Sequence, residues 1–261
     1  MLRITDVAKN LLIINVLVFL AGFVLNTSML ALYYPESENF QPFQLVTHFF
    51  MHGSVMHIFF NMFALVMFGS ALETLWGAQR FLFYYFVCAA GAAALHLFVN
   101  YLDFSQMQAA IDAFRAAPSY DTFWDFFKKV PLDRLNAGYR SNVMKLSSAI
   151  QDGDMGIVSQ AAGAMEQYRT FQMNIPVVGA SGAIFGLLLA FGMKFPNAEL
   201  MLLFFPVPVK AKYFIPILML LELYLGVNNF SWDNIAHFAH LGGALTGLLL
   251  ILAGRFTGTR F

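Results

Sequence analysis

Two short stretches hold residues that could do nucleophilic chemistry. Gly179-Ala180-Ser181-Gly182 opens an apolar segment, and Ala239-His240-Leu241-Gly242-Gly243-Ala244-Leu245-Thr246-Gly247 lies in the last one. A serine hydroxyl becomes a nucleophile when a neutral imidazole takes its proton. A helix starting at Ser181 would add free backbone N–H groups and positive potential, both suited to an oxyanion. Taken alone, Ser181 reads more simply as packing, because Gly182-x-x-x-Gly186 is also a close-approach motif. His240 alters that balance: an ionisable group within an apolar segment is costly and is a functional candidate by default. Gly243 and Gly247 follow it at i+3 and i+7 and make one smooth helix face. If the Gly182/Gly186 face lies against it, His240 reaches Ser181.

Further polar groups cluster upstream. His48, His52 and His57 precede Asn61. His57 and Asn61 stand at i and i+4, so both side chains point the same way from a helix. Two donors facing a serine would make an oxyanion site. His48 and His52 read as polar groups that hold a loop. Zinc is a poor fit for these histidines, since no His-Glu-x-x-His occurs and no acidic residue lies near them within the segment. No acidic residue near His240 in sequence obviously orients it, so the expectation is a serine–histidine dyad and not a triad. Glu222, in another apolar segment, reads as a protonated or hydrogen-bonded structural group. His237, one turn before His240, could reach an aqueous cavity, but the glycine register follows His240.

These residues need elements that hold them in an apolar medium. The 261 residues are 59 % hydrophobic, 16 % aromatic and only 11 % charged, against about 25 % charged in a typical soluble domain. Mean hydropathy is +0.64. The fold class is therefore an all-α polytopic membrane bundle. The net charge of zero gives no sign of a nucleic-acid partner. The lone cysteine, Cys88, excludes an intramolecular disulfide and reads as a packed small hydrophobe. Six apolar segments could span about 30 Å of hydrocarbon: 11–33, 57–76, 81–101, 179–195, 212–228 and 234–254. Leu11–Leu32 is too long for a signal peptide and reads as a retained first span. Phe204 to Val209, broken by Pro206 and Pro208, reads as an interfacial loop. Outside residues 102–175 the basic residues are Arg3, Lys9, Arg80, Lys194, Lys210, Lys212, Arg255 and Arg260. Six spans with a cytoplasmic N-terminus put all of them inside, as the positive-inside rule favours. Residues 34–56, 102–178 and 229–233 then face outward.

The division expected is 1–101 for spans 1–3 with outer loop 1, 102–175 for a water-facing helical insert, and 176–261 for spans 4–6. The insert holds 15 of the 30 charged residues, eight acidic and seven basic. Short amphipathic helices are expected around Tyr120–Lys129, Leu132–Ile150 and Ile157–Phe171, with a turn at Asp152-Gly153-Asp154. Their aromatics would lean on the membrane surface or on the spans. The insert reads as a local elaboration, with gating or substrate choice as the other possibility.

Together the motifs resemble the rhomboid intramembrane serine proteases. The matching elements are His52-x4-His57-x3-Asn61, Glu73-x3-Gly77-x3-Phe81, Gly179-Ala180-Ser181-Gly182 with Gly186, and Ala239-His240-x2-Gly243-x3-Gly247, in family order. The resemblance implies a rhomboid-like, six-span bacterial type located in the inner (plasma) membrane, with both termini cytoplasmic and the insert outside. It makes Ser181 the nucleophile and His240 the general base. His57, Asn61 and the Ser181 N–H would form the oxyanion hole, and Phe185 would pack on the histidine ring where a tyrosine often stands. Gly179, Gly182, Gly243 and Gly247 would support the site. Glu73 would be a structural hydrogen-bonding residue of the second-to-third span connection. The implied activity is a serine endopeptidase that cleaves single-span or polytopic membrane proteins within the bilayer, through an acyl-enzyme. No metal or organic cofactor is implied. The alternative is a catalytically silent rhomboid-like binder of membrane segments, although such relatives usually lack the serine or the histidine. A small transporter would show an inverted repeat, and none is evident. The Tyr-Asp and Gly-x-Gly-Asp pair of aspartyl intramembrane proteases is absent from the spans.

Overall fold

The computed structural model describes residues 4–128, 130–202, 205–228, 235–254 and 256. Expectations that fall on Arg3, Lys129, Phe204, residues 229–234, Arg255 and Arg260 lie outside them. The chain forms two compact units, one of residues 1–32, 40–97 and 176–261, the other of residues 33–39 and 98–175.

The first unit begins with α1, Asp6–Ala21. It starts earlier and ends much sooner than the apolar run 11–33. Its start is set by a distant acceptor: the Glu73 carboxylate takes hydrogen bonds from Thr5 Oγ1 (2.5 Å) and from the Val7 and Ala8 amides (3.1 and 3.0 Å). A carboxylate at a helix N-terminus satisfies orphan N–H groups and suits the dipole. Glu73 is thus a structural hydrogen-bonding residue, but it ties its own helix to the first one. Past Ala21 the chain turns through Gly22 and Asn26, whose Oδ1 accepts from the Ser28 amide and hydroxyl. Leu32 then pairs with Val177 through two backbone hydrogen bonds.

The loop onward carries α2, Gln44–Thr47. The second apolar segment is α3, Val55–Ala64, a π-helical turn Leu65–Gly69, and α4, Ser70–Trp76. Ser54 caps α3 by accepting from the His57 amide. The third apolar segment does not stop near 101: α5 runs unbroken from Ala78 to Ala116. α9 is Ser181–Lys194, α10 Ala211–Asn228 and α11 His237–Leu252. In place of the expected interfacial loop, Glu199–Leu202 (β1) and Phe205–Lys210 (β2) pair antiparallel, with Glu199 opposite Lys210 and Met201 opposite Pro208. A two-stranded ribbon tolerates proline because each strand has an edge that needs no N–H donor.

Among the described residues, three helical stretches are both long and apolar enough to cross a membrane: Val55–Trp76, Ala78–Ala116 and Ala211–Asn228. Ser181–Lys194 and His237–Leu252 are apolar but shorter. Both are largely buried within the first unit and carry the glycines. A Cβ on Gly243 would lie 1.8 Å from the Gly182 carbonyl oxygen, and one on Gly186 would lie 3.1 Å from that of Gly243. The α9 and α11 backbones therefore touch. Gly247 departs from the expected partner: its Cβ would meet the Tyr84 hydroxyl at 2.2 Å and Cys88 Sγ at 3.3 Å, both on α5. Cys88 is fully buried there as a small packing residue.

The second unit contains α6, Tyr120–Phe127, α7, Ala137–Gln151, and α8, Val158–Met173, with the C-terminal part of α5. α6 opens with a capping box, Ser119 and Thr122 bonding each other's amides. Gly153 makes the turn after α7 with φ +86°, a conformation glycine adopts without strain. The aromatics Phe123, Phe126 and Phe127 do not lean outward: with Ile111, Phe114, Val143 and Met165 they form this unit's own core.

Candidate active site

Ser181 is the first residue of α9, entered through Gly179 at φ +123°. That backbone suits glycine, and space demands it too. A Cβ at Gly179 would stand 2.8 Å from His57 Cε1 and 2.9 Å from His57 Nε2. The entry is held from two sides. The Gly179 amide donates to the His48 carbonyl at 2.9 Å, and Val177 is paired with Leu32. His48 in turn donates its Nδ1–H to the Gln44 carbonyl at 2.6 Å. Burial first, then His96 nearby, pushes the His48 pKa down to about 4, with the Gln44 bond acting the other way. Burial, then His57, likewise lowers His52 to about 4. Both rings are thus neutral; His48 holds the loop through its bond to Gln44, whereas His52 packs edge-on against His57 with centroids 5.0 Å apart.

His240 Nε2 lies 2.9 Å from Ser181 Oγ, a hydrogen bond across 59 residues of sequence. The close α9–α11 approach at Gly182/Gly243 makes this possible. Phe185, one turn after the serine, stacks on the His240 ring at 4.1 Å between centroids and 8° between planes. His57 points its Nε2 towards the Gly179 entry, while its Nδ1 faces the Gly53 amide at 3.4 Å. That amide can only donate, so the proton of His57 belongs on Nε2. Asn61 is buried on the same helix face, and its amide nitrogen donates to the His57 carbonyl at 3.1 Å. The first N–H groups of α9 have no acceptor within the helix. Ser181, His240, Phe185, His57 and Gly179 are therefore brought together, with Asn61 one turn below His57.

Two expectations change. The dyad has an acidic neighbour: Glu222 Oε2 lies 2.8 Å from His240 Nδ1. His237 does not open to an aqueous cavity; it is buried, and its Nδ1 lies 2.7 Å from the same oxygen. Sequence distance hides this contact. α10 and α11 are adjacent in the chain, and Glu222 near the end of one meets histidines at the start of the next. Comparing the depths of residues in the two segments is the signal that would pair them.

Glu222, His237 and His240 together also offer three atoms of metal-ligand type. The 2.7 and 2.8 Å spacings are those of hydrogen bonds. Ligands about 2.05 Å from one tetrahedral ion would stand roughly 3.3 Å apart.

An apolar helical bundle that sets a helix-initial serine against a histidine, with helix-borne donors beside them, defines a class of membrane protein. The chain belongs to the rhomboid family: residues 39–108 and 146–255 match the Rhomboid domain. The gap between the two matched stretches falls within the second unit. Among curated proteins it is 28 % identical over 208 residues to an uncharacterized mitochondrial rhomboid protein of Schizosaccharomyces pombe, covering 78 % of this chain and 48 % of that one. It is 38 % identical over 74 residues to the mitochondrial Rhomboid protein 1 of Saccharomyces cerevisiae, covering 28 % and 21 %. It is 40 % identical over 62 residues to Rhomboid-like protein 15 of Arabidopsis thaliana, covering 24 % and 15 %. The chain matches less than half the length of each of these relatives.

Proposed function

We propose that this membrane protein is an intramembrane serine endopeptidase acting on membrane-spanning segments. The observation that carries the reading is the 2.9 Å contact between Ser181 Oγ and His240 Nε2, with Phe185 stacked on the ring. Ser181 Oγ attacks the scissile carbonyl carbon while His240 Nε2 takes the hydroxyl proton. The resulting oxyanion is met by the Ser181 N–H, the His57 Nε2–H and the Asn61 amide. Collapse breaks the C–N bond, and His240 returns the proton to the leaving amine. Water, activated by the same ring, then cleaves the acyl-enzyme ester. Gly179 keeps the approach to Ser181 open, Gly182 and Gly243 keep α9 and α11 close enough for the proton transfer, and Gly247 lets α11 pack on α5.

A helical substrate hides its peptide bonds, so a substrate span must unwind locally before the carbonyl reaches Ser181. Six spans, with the N-terminus and Lys9, Arg80, Lys194, Lys210 and Lys212 on one side, are the topology that the charge distribution supports. Residues 102–175 then lie on the opposite side. Two of the relatives carry mitochondrial names, so no support for a bacterial plasma membrane comes from them.

The test is cleavage of a reconstituted single-span substrate by the wild type, Ser181→Ala and His240→Ala. Loss of cleavage in both variants, by roughly 10³-fold or more, is expected. Wild-type cleavage by either would remove the pair from the mechanism. A wild type that binds the substrate without cutting it would favour the silent binder.

A further inference from the structure

We propose that Glu222 is a positioning residue for the Ser181–His240 pair: its carboxylate fixes the tautomer of His240 and steadies the charge that the ring acquires. The inference rests on the protease reading and adds a third member to the expected dyad.

Glu222 is 7 % exposed, on a helix whose other buried residues are Ala211 and Ile215. The same helix turns Ile217, Leu220, Leu221 and Leu223 outward. A carboxyl turned inward from such a helix needs partners, because an unpaired buried charge is costly. Both of its partners are imidazoles, and both meet it through Nδ1, at 2.7 Å from His237 and 2.8 Å from His240.

An ionised carboxylate only accepts, so each Nδ1 must carry a proton. The consequence at His240 is specific. With the proton on Nδ1, Nε2 holds a lone pair, and this atom lies 2.9 Å from Ser181 Oγ. The serine hydroxyl must then donate to it, which is the direction the first step requires. Free imidazole would divide between two tautomers, and the other one would present Nε2–H to the hydroxyl and could not act as a base.

The same carboxylate opposes the positive charge on His240 after it takes the proton. Phe185 covers one face of the ring, so the ring is fixed by a stack, an acceptor behind and a hydroxyl in front. His237 shares the oxygen and thereby holds the carboxylate in place. Among the described residues, His57 on α3 and His96 on α5 also interact electrostatically with His240. Among the described residues, Glu222 is the carboxylate in contact with it.

A purely structural Glu222 predicts that Glu222→Gln, which keeps the shape and an acceptor oxygen, also keeps activity. The positioning role predicts otherwise. In the reconstituted cleavage assay Glu222→Gln should lose roughly 10²-fold or more in kcat, with KM within about threefold. A Glu222→Gln enzyme with wild-type kcat overturns the inference and leaves the protease reading standing. A wild type without cleavage takes both down. A second measurement does not depend on turnover. Nitrogen NMR of histidine-labelled Ser181→Ala protein, with His240 assigned by its own substitution, should show Nδ1–H on His240. The Nε2–H tautomer there would overturn the inference even if Glu222→Gln fails to fold.

Discussion

The two units of this molecule are built in opposite senses. In the second unit the buried residues are almost all apolar, led by Phe114, Phe123, Phe127 and Met165. Among its described residues, exposed charges pair with one another, as in Arg115–Glu166 and Lys128–Asp125. In the first unit the polar groups are inside: Gln44, His48, His52, Asn61, Glu73, Glu222, His237 and His240 are all buried. Large apolar side chains such as Leu17, Phe23, Ile217, Leu220 and Leu249 are exposed instead. Water rewards the first arrangement, because burying apolar area is what holds a soluble unit together. Lipid removes that driving force and leaves close packing and satisfied polar groups to do the holding. Asn61, Glu222, His237 and His240, four of the polar groups so buried, gather at or beside the candidate site.

Substitutions that separate the two senses of construction make this contrast testable. The largest effect is expected in the second unit from Phe123→Ala, which empties a fully buried site and should cost about 3–5 kcal/mol. Loss of hydrogen-exchange protection across residues 120–173 is the readout. Next comes Gly243→Ala in the first unit. The added methyl would sit 1.8 Å from the Gly182 carbonyl oxygen, so the helices must part, at about 1–3 kcal/mol or more. Both the melting temperature and the cleavage rate should fall, since the same approach delivers His240 to Ser181.

A smaller effect is expected from pH. His48 and His52 are held near pKa 4 when folded, below the value of about 6.5 for an unperturbed ring. Between those values the unfolded chain binds the extra protons. Stability is therefore complete above about pH 6.5 and falls as pH drops towards 4. Melting temperatures between pH 7.5 and 4.5 should fall less for His48→Gln or His52→Gln than for the wild type, and equal slopes would contradict the assignment. The smallest effect has the opposite sign. Gly163 is exposed within α8, and a methyl group added to it would have nothing within 4 Å. Gly163→Ala should stabilise the second unit by about 0.5–1 kcal/mol through helix propensity, read as a rise in its melting temperature. One type of substitution, glycine to alanine, thus reads out which sense of construction surrounds it.

Much of the candidate site is legible in the sequence because it is written in local periodicities. The i+3 and i+7 glycines after His240, the i+4 spacing of His57 and Asn61, and Phe185 one turn after Ser181 each fix a helix face. The Glu222 contacts are not legible, because they join two successive helices and depend on depth, not on spacing along one helix. The extent of α1 is hidden for a similar reason: its start is set by Glu73, 65 residues or more away. The insert's aromatics show amphipathic helices, but composition does not say whether an apolar face meets lipid or its own neighbours. Here α6 and α7 turn those faces towards one another and towards α8.

The most direct test of the central claim is a covalent one. A fluorophosphonate, which reacts with a serine only when its hydroxyl is activated, should add its mass to the peptide carrying Ser181 in the reconstituted wild type. The same label should be lost in His240→Ala and in Ser181→Ala. Labelling of Ser181 that persists unchanged in His240→Ala, or a label that settles on another residue, would contradict the assignment of this pair.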